Sequence, residues 1–182
     1  MEVFYHGKWG KARHDYPCTP IKIEPQQVHW YGADWYLPAA YGCAQGMVLD
    51  LFAAVPEAKF EAFLEKWQAR LERMRAQREH SRVLREQAEA ENPLSMRVDC
   101  TVQINGEAAS HYESRGTVWV RGASEDAKTA ALLAHYGLIE AHPGMAWRHM
   151  RVQLEWAASG RPEALHSLTA TLEAEPAVLP FP

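Results

Sequence analysis

The chain has 182 residues, 47% hydrophobic and 23% charged, with a net charge of −4. That length is one domain with a real core, and the charge excludes a general pull towards nucleic acid or anionic lipid. No stretch reaches the ~18 apolar residues of a bilayer crossing, and MEVFYHGKWG lacks the apolar run of a signal peptide.

Three cysteines (Cys18, Cys43, Cys100), odd in number and far apart, argue against a disulfide framework. A soluble protein in a reducing, cytoplasmic setting is the expectation.

A single domain is expected over residues 1–182, with three stretches. Residues 1–45 hold nine of the aromatics together with Pro17, Pro20, Pro25 and Pro38, which oppose helices and central strands. A short strand at 2–9 followed by irregular chain to 45 is the reading, with the rings anchoring the segment to the body. Residues 46–175 form an α+β core, and the Pro-rich 176–182 an extended tail.

GMVLDLFAAV (46–55) is a buried strand, and Pro56 suits the helix start that follows. Phe60, Phe63, Leu64, Trp67, Leu71 and Met74 recur at helical spacing as one apolar stripe. The stripe fails near 77–81, so 56–91 is one long helix or two, stopped by Asn92-Pro93. Met96, Val98, Cys100, Val102 and Ile104 alternate with polar residues as a strand, and Asn105-Gly106 is a hairpin turn. The return strand, 110–121, contains Gly116 and is expected to bulge.

Ser124 can cap a helix that Gly137 ends. Alternation at 150–156 and 168–172 marks two more strands. The order β-α-β-β-α-β plus a final strand predicts an antiparallel sheet backed by two helices, an order compatible with a ferredoxin-like core, beneath an irregular aromatic-rich N-terminal segment.

Chemistry is sparse. Cys43, His29 and Asp34 lie within one glycine- and proline-spaced stretch, and a hydrolase-like site built from them is the alternative reading. The segment around Cys43 precedes a strand and lacks the G-x-S-x-G spacing of a nucleophile elbow. CxxC, HxH and HExxH are absent, so a metal site would have to gather scattered ligands such as His29, His111 and His142. Walker and GxGxxG loops are absent too, and no cofactor is expected. Arg70, Arg73, Arg75, Arg78, Arg82 and Arg85 could track phosphates as a second alternative. Glutamates three or four residues away instead make this a solvated helix face. Asp50, inside an apolar strand, must find a partner.

Five rings remain: Trp30, Tyr31, Trp35, Tyr36 and Tyr41. Tyr and Trp favour ligand pockets and interfaces. The expectation is therefore a binding or protein-interaction module, not an enzyme. Its aromatic surface would meet a second copy of the chain, a small molecule or a peptide.

Overall fold

The computed structural model describes residues 1–9, 12–76, 82–157 and 160–174. Strand dominates it, and the helix-backed ferredoxin-like α+β layout does not form. An antiparallel sheet curls into a half-barrel with strand order β1-β2-β4-β5-β10-β8-β9, and β3 also pairs with β4. The members are β1 (Val3–Trp9), β2 (Ala12–Ile21), β3 (Gln26–Trp30), β4 (Ala33–Gly42), β5 (Gly46–Pro56), β8 (Ser110–Val120), β9 (Ser124–Glu125) and β10 (Met145–Glu155). A second sheet, β11-β6-β7, holds β6 (Val98–Ile104), β7 (Glu107–Ala108) and β11 (Leu168–Ala174).

The N-terminal segment is the main correction. It contains four strands, and its prolines fit them for separable reasons. β2 divides its pairing: its first residues, to Cys18, face β1, and Thr19 to Ile21 face β4. Pro17 and Pro20 therefore each have a ladder partner on one side only, which edge positions tolerate. Pro38 falls where the β4–β5 register slips between Tyr36 and Ala39, in a bulge that asks for no ladder hydrogen bond there. That bulge also flips the phase of β4. Trp35 and Leu37 face the same core as Ala40, whereas Tyr36 and Tyr41 face the other side. The segment holds no strict alternation to read.

β5 lies where the apolar run predicts, but both of its faces are covered. Leu49, Leu51 and Ala53 face the second sheet, and Phe52 and Ala54 face α3 (Ala127–His135) and α4 (Leu138–Ala141). Two-sided burial explains an almost unbroken apolar run. Val48 packs under Val3 and Tyr5 of the curled β1–β2 ribbon. Gly46 permits this corner, since a Cβ there would stand 2.1 Å from the Leu154 carbonyl oxygen and 2.8 Å from the Tyr5 ring.

α1 (Glu57–Ala76) and α2 (Arg82–Glu91) occupy the expected helical stretch. The interruption near 77–81 and the tail 176–182 lie outside the described residues, as do the side chains of Leu71 and Met74. Phe60, Phe63 and Leu64 pack on the main core. Trp67 is buried elsewhere, with its indole N–H donating to Glu91 Oε2 at 2.7 Å, which ties α1 to the end of α2.

Asn105 and Gly106 both have positive φ, as the tight turn requires. The hairpin is nonetheless only two residues deep. β11 pairs with β6, and β8 leaves to pair with β10 in the larger sheet. The bulge of β8 lies between His111 and Glu113, not at Gly116. Asp126, not Ser124, caps α3, accepting from the Thr129 N–H at 2.8 Å. Ser124 instead belongs to β9.

Candidate functional site

The five expected rings part company. Trp30 and Tyr31 sit at the β3–β4 turn with ring centroids 5.3 Å apart, Trp30 half-buried and Tyr31 57% exposed. Tyr31 itself has a φ of 53°, so the turn projects its ring outward. Trp35 and Tyr36 are buried. Tyr41 is buried at the far end of β4, where its hydroxyl meets that of Tyr136 at 2.7 Å.

The reactive triad is not assembled. His29 Nδ1 lies 2.6 Å from Asp34 Oδ1, a cross-strand pair at the exposed hairpin end. Cys43 lies just past the other end of β4, nine residues beyond Asp34. At ~3.3 Å per residue that is about 30 Å of strand. Cys43 is also buried, in the cluster against which Cys18 packs. Separation along a strand keeps Cys43 apart from the His29–Asp34 pair.

Asp50 has the partners its environment demanded. Its Oδ1 accepts from Arg151 Nε at 2.7 Å and from His149 Nε2 at 2.8 Å; its Oδ2 accepts from Arg151 Nη2 at 2.8 Å and Tyr136 OH at 3.1 Å. An ionised carboxylate only accepts, so His149 carries its proton on Nε2 and Tyr136 receives from Tyr41. Burial alone would raise the Asp50 pKa. The hydrogen bonds of His149 and Arg151, with the Arg151 charge, overcome that and hold it at about 2. Burial and the Asp50 charge push Tyr136 upward. A carboxylate this acidic, with both oxygens doubly engaged, is a poor proton acceptor. It anchors β5, β10, β4 and the end of α3 to one another.

Sequence reasoning singles out Asp50 but misses Arg151, His149 and Tyr136. Arg151 alternates with Met150 and Val152 and so reads as a wet-face residue. The available signal is an opposite charge in a second long apolar strand, since Arg151 stands directly across from Asp50 in the β5–β10 ladder.

The Arg-rich stretch is decorated by local partners. Arg82 Nε meets Glu86 Oε1 at 2.6 Å, Arg73 Nε donates to the Ala69 carbonyl, and Arg70 lies over the Trp67 ring. Arg78 is outside the described residues. Among the described residues no group of three or more His, Cys, Asp or Glu could hold a metal ion, and no helix is long and apolar enough to cross a membrane.

A groove of about 450 Å³ runs between β3–β4 and β11. Trp35, Leu37 and Leu51 line it from one sheet and Leu168, Ala170 and Leu172 from the other, with Lys22, Glu24 and His166 among its polar residues. Gln26, Gln27 and Val28 line it in succession, as do Leu168, Thr169 and Ala170. A sheet face shows alternate residues only. Successive ones mean that the edges of β3 and β11 border the groove. Among the described residues β3 pairs with β4 alone and β11 with β6 alone, so both edges are open. No family model, curated protein or solved structure matches the chain.

Proposed function

We propose that the protein is a binding module that seats an extended, largely apolar peptide in the groove between β3 and β11. The observation that supports this reading is the pair of open strand edges bordering one apolar groove. An open edge offers unpaired N–H and C=O groups, and an added strand gains main-chain hydrogen bonds there. Alternate side chains of such a strand would point to Trp35, Leu51 and Leu168 on one side and to solvent on the other. The volume also lies within the ~300–1,000 Å³ of ordinary ligand sites. Of the five expected rings, Trp35 takes part here; the Tyr36 ring turns to the opposite side of the sheet, and Trp30 and Tyr31 stand at the end of the β3 wall.

Selection from a displayed library of random peptides tests the reading. Selected peptides should be apolar at alternate positions. They should lose affinity about tenfold or more when alternate amides are N-methylated, or when Leu168→Arg is introduced into a chain that stays folded. Binders indifferent to both Leu168→Arg and Val28→Arg would place recognition elsewhere. Sedimentation of the free chain identifies the other expected occupant: a dimer dissociated by Val28→Arg would mean that a second copy covers the edge.

A further inference from the structure

The ladder between β2 and β4 pairs Thr19 with Gly42, Pro20 with Tyr41 and Ile21 with Ala40. One residue beyond that ladder stand Cys18, on β2, and Cys43, just past the end of β4, near enough that Cys43 helps to raise the Cys18 pKa. Residues opposed across antiparallel strands have Cα atoms about 4.5–5.5 Å apart and side chains on one face. A disulfide needs a Cα separation of roughly 4.4–6.8 Å. Both cysteines belong to the cluster formed by Val3, Tyr5, Tyr41 and Val48. All three cysteines are free thiols, and Cys100 is buried in the other core cluster, on β6. The odd count therefore resolves into one facing pair and one bystander.

We propose that Cys18 and Cys43 are a disulfide-forming pair, whose oxidation closes residues 19–42, and with them the β3–β4 wall of the groove, into a covalent loop. The oxidant is a low-molecular-weight disulfide. Cys18, the more exposed thiol, attacks as thiolate, forming a mixed disulfide and releasing one small thiol. The Cys43 sulfur then attacks that of Cys18, the protein disulfide forms, and the second small thiol leaves. The two protons lost by the protein end on the two released thiols. The protein pair loses two electrons, and the small disulfide gains them.

Burial and the neighbouring Cys43 push the Cys18 thiol up to about 12, while a backbone hydrogen bond from Tyr5 and the Arg151 charge pull the other way. The first attack is consequently slow, because the thiolate is the nucleophile. This is a bond that closes on prolonged exposure to an oxidant, not a rapid sensor.

Oxidised glutathione in mildly alkaline buffer, followed by alkylation and mass spectrometry of the unreduced digest, tests the proposal. The folded chain should lose two hydrogens, yield a peptide linking 18 to 43 and carry the alkyl group on Cys100. Its unfolding midpoint should rise on oxidation and return with a reductant. The Cys100→Ser chain should behave identically, and Cys43→Ser should stop at glutathione on Cys18. A digest with Cys18 and Cys43 separately alkylated or separately glutathionylated would overturn the pair, as would a link to Cys100.

Discussion

Replacing Asp50 with asparagine preserves the size of the side chain and removes the charge that Arg151 faces. Breaking one partner out of a buried pair costs about 3–5 kcal/mol, and Asp50→Asn should fall near the lower figure because the amide oxygen still accepts hydrogen bonds. The pH dependence has a definite sign. The folded pKa of about 2 lies below the ordinary 3.8. Ionised Asp50 thus contributes stability that is complete above the ordinary value and lost as pH falls through the folded one. That contribution is about 2 kcal/mol. In urea unfolding, the gap between wild type and Asp50→Asn should hold at neutral pH and shrink between about pH 5 and pH 2. A gap indifferent to pH would show that the carboxylate is not tied as described. At this scale the sequence is half legible. An aspartate inside MVLDLF announces a partner, but the partner's identity depends on which strand lies alongside, and strand neighbours are not written in periodicity.

Among elements, α1 shows how far periodicity reaches. Its stripe places Phe60, Phe63 and Leu64 on the core, where they lie, because a helix presents the same face whatever lies beneath it. The same stripe does not foresee that Trp67 is held by Glu91 of α2. Trp67→Ala should cost about 3–5 kcal/mol, the range for truncating a buried large aromatic. Arg82→Ala should leave stability essentially unchanged, since Arg82 and Glu86 form an exposed pair. Equal losses in equilibrium unfolding would mean that the arginine face is covered. Beyond β1, the N-terminal strands are illegible for the opposite reason. Strand evidence is alternation, and β4 interrupts its own with the bulge at Pro38, while β2 shares its residues between two neighbours.

For the whole molecule, the decisive pairings join distant parts of the chain. β10 lies between β5 and β8, so Leu51 meets Met150. Closing such long loops precedes any gain from the contacts they bring, which slows folding. Refolding from denaturant should take milliseconds to seconds, measured by stopped-flow tryptophan fluorescence; microsecond refolding would mean that local contacts dominate. The same long-range order explains the failed expectation of a helix-backed sheet. The sequence shows two long helical stretches and several strands, and a ferredoxin-like layout is the simplest way to pack that order. It does not show that residues 12–42 bring three further strands to the same sheet, nor that β6 and β11 leave to form a second sheet packed on its face.

The corner at Gly46 and the pair four residues beyond it make a fingerprint. Backbone approaches so closely at 46 that any side chain would have to displace the Leu154 carbonyl, so another chain following this path needs glycine there. Four residues on, Asp50 needs its cross-strand arginine, with histidine two positions before that arginine. Gly-x-x-x-Asp leading an apolar strand, and His-x-Arg in a later apolar strand, is a pattern set by steric and electrostatic necessity. Distant kin that overall identity no longer reveals could be sought by that pattern, whatever their loops, helices or surfaces have become.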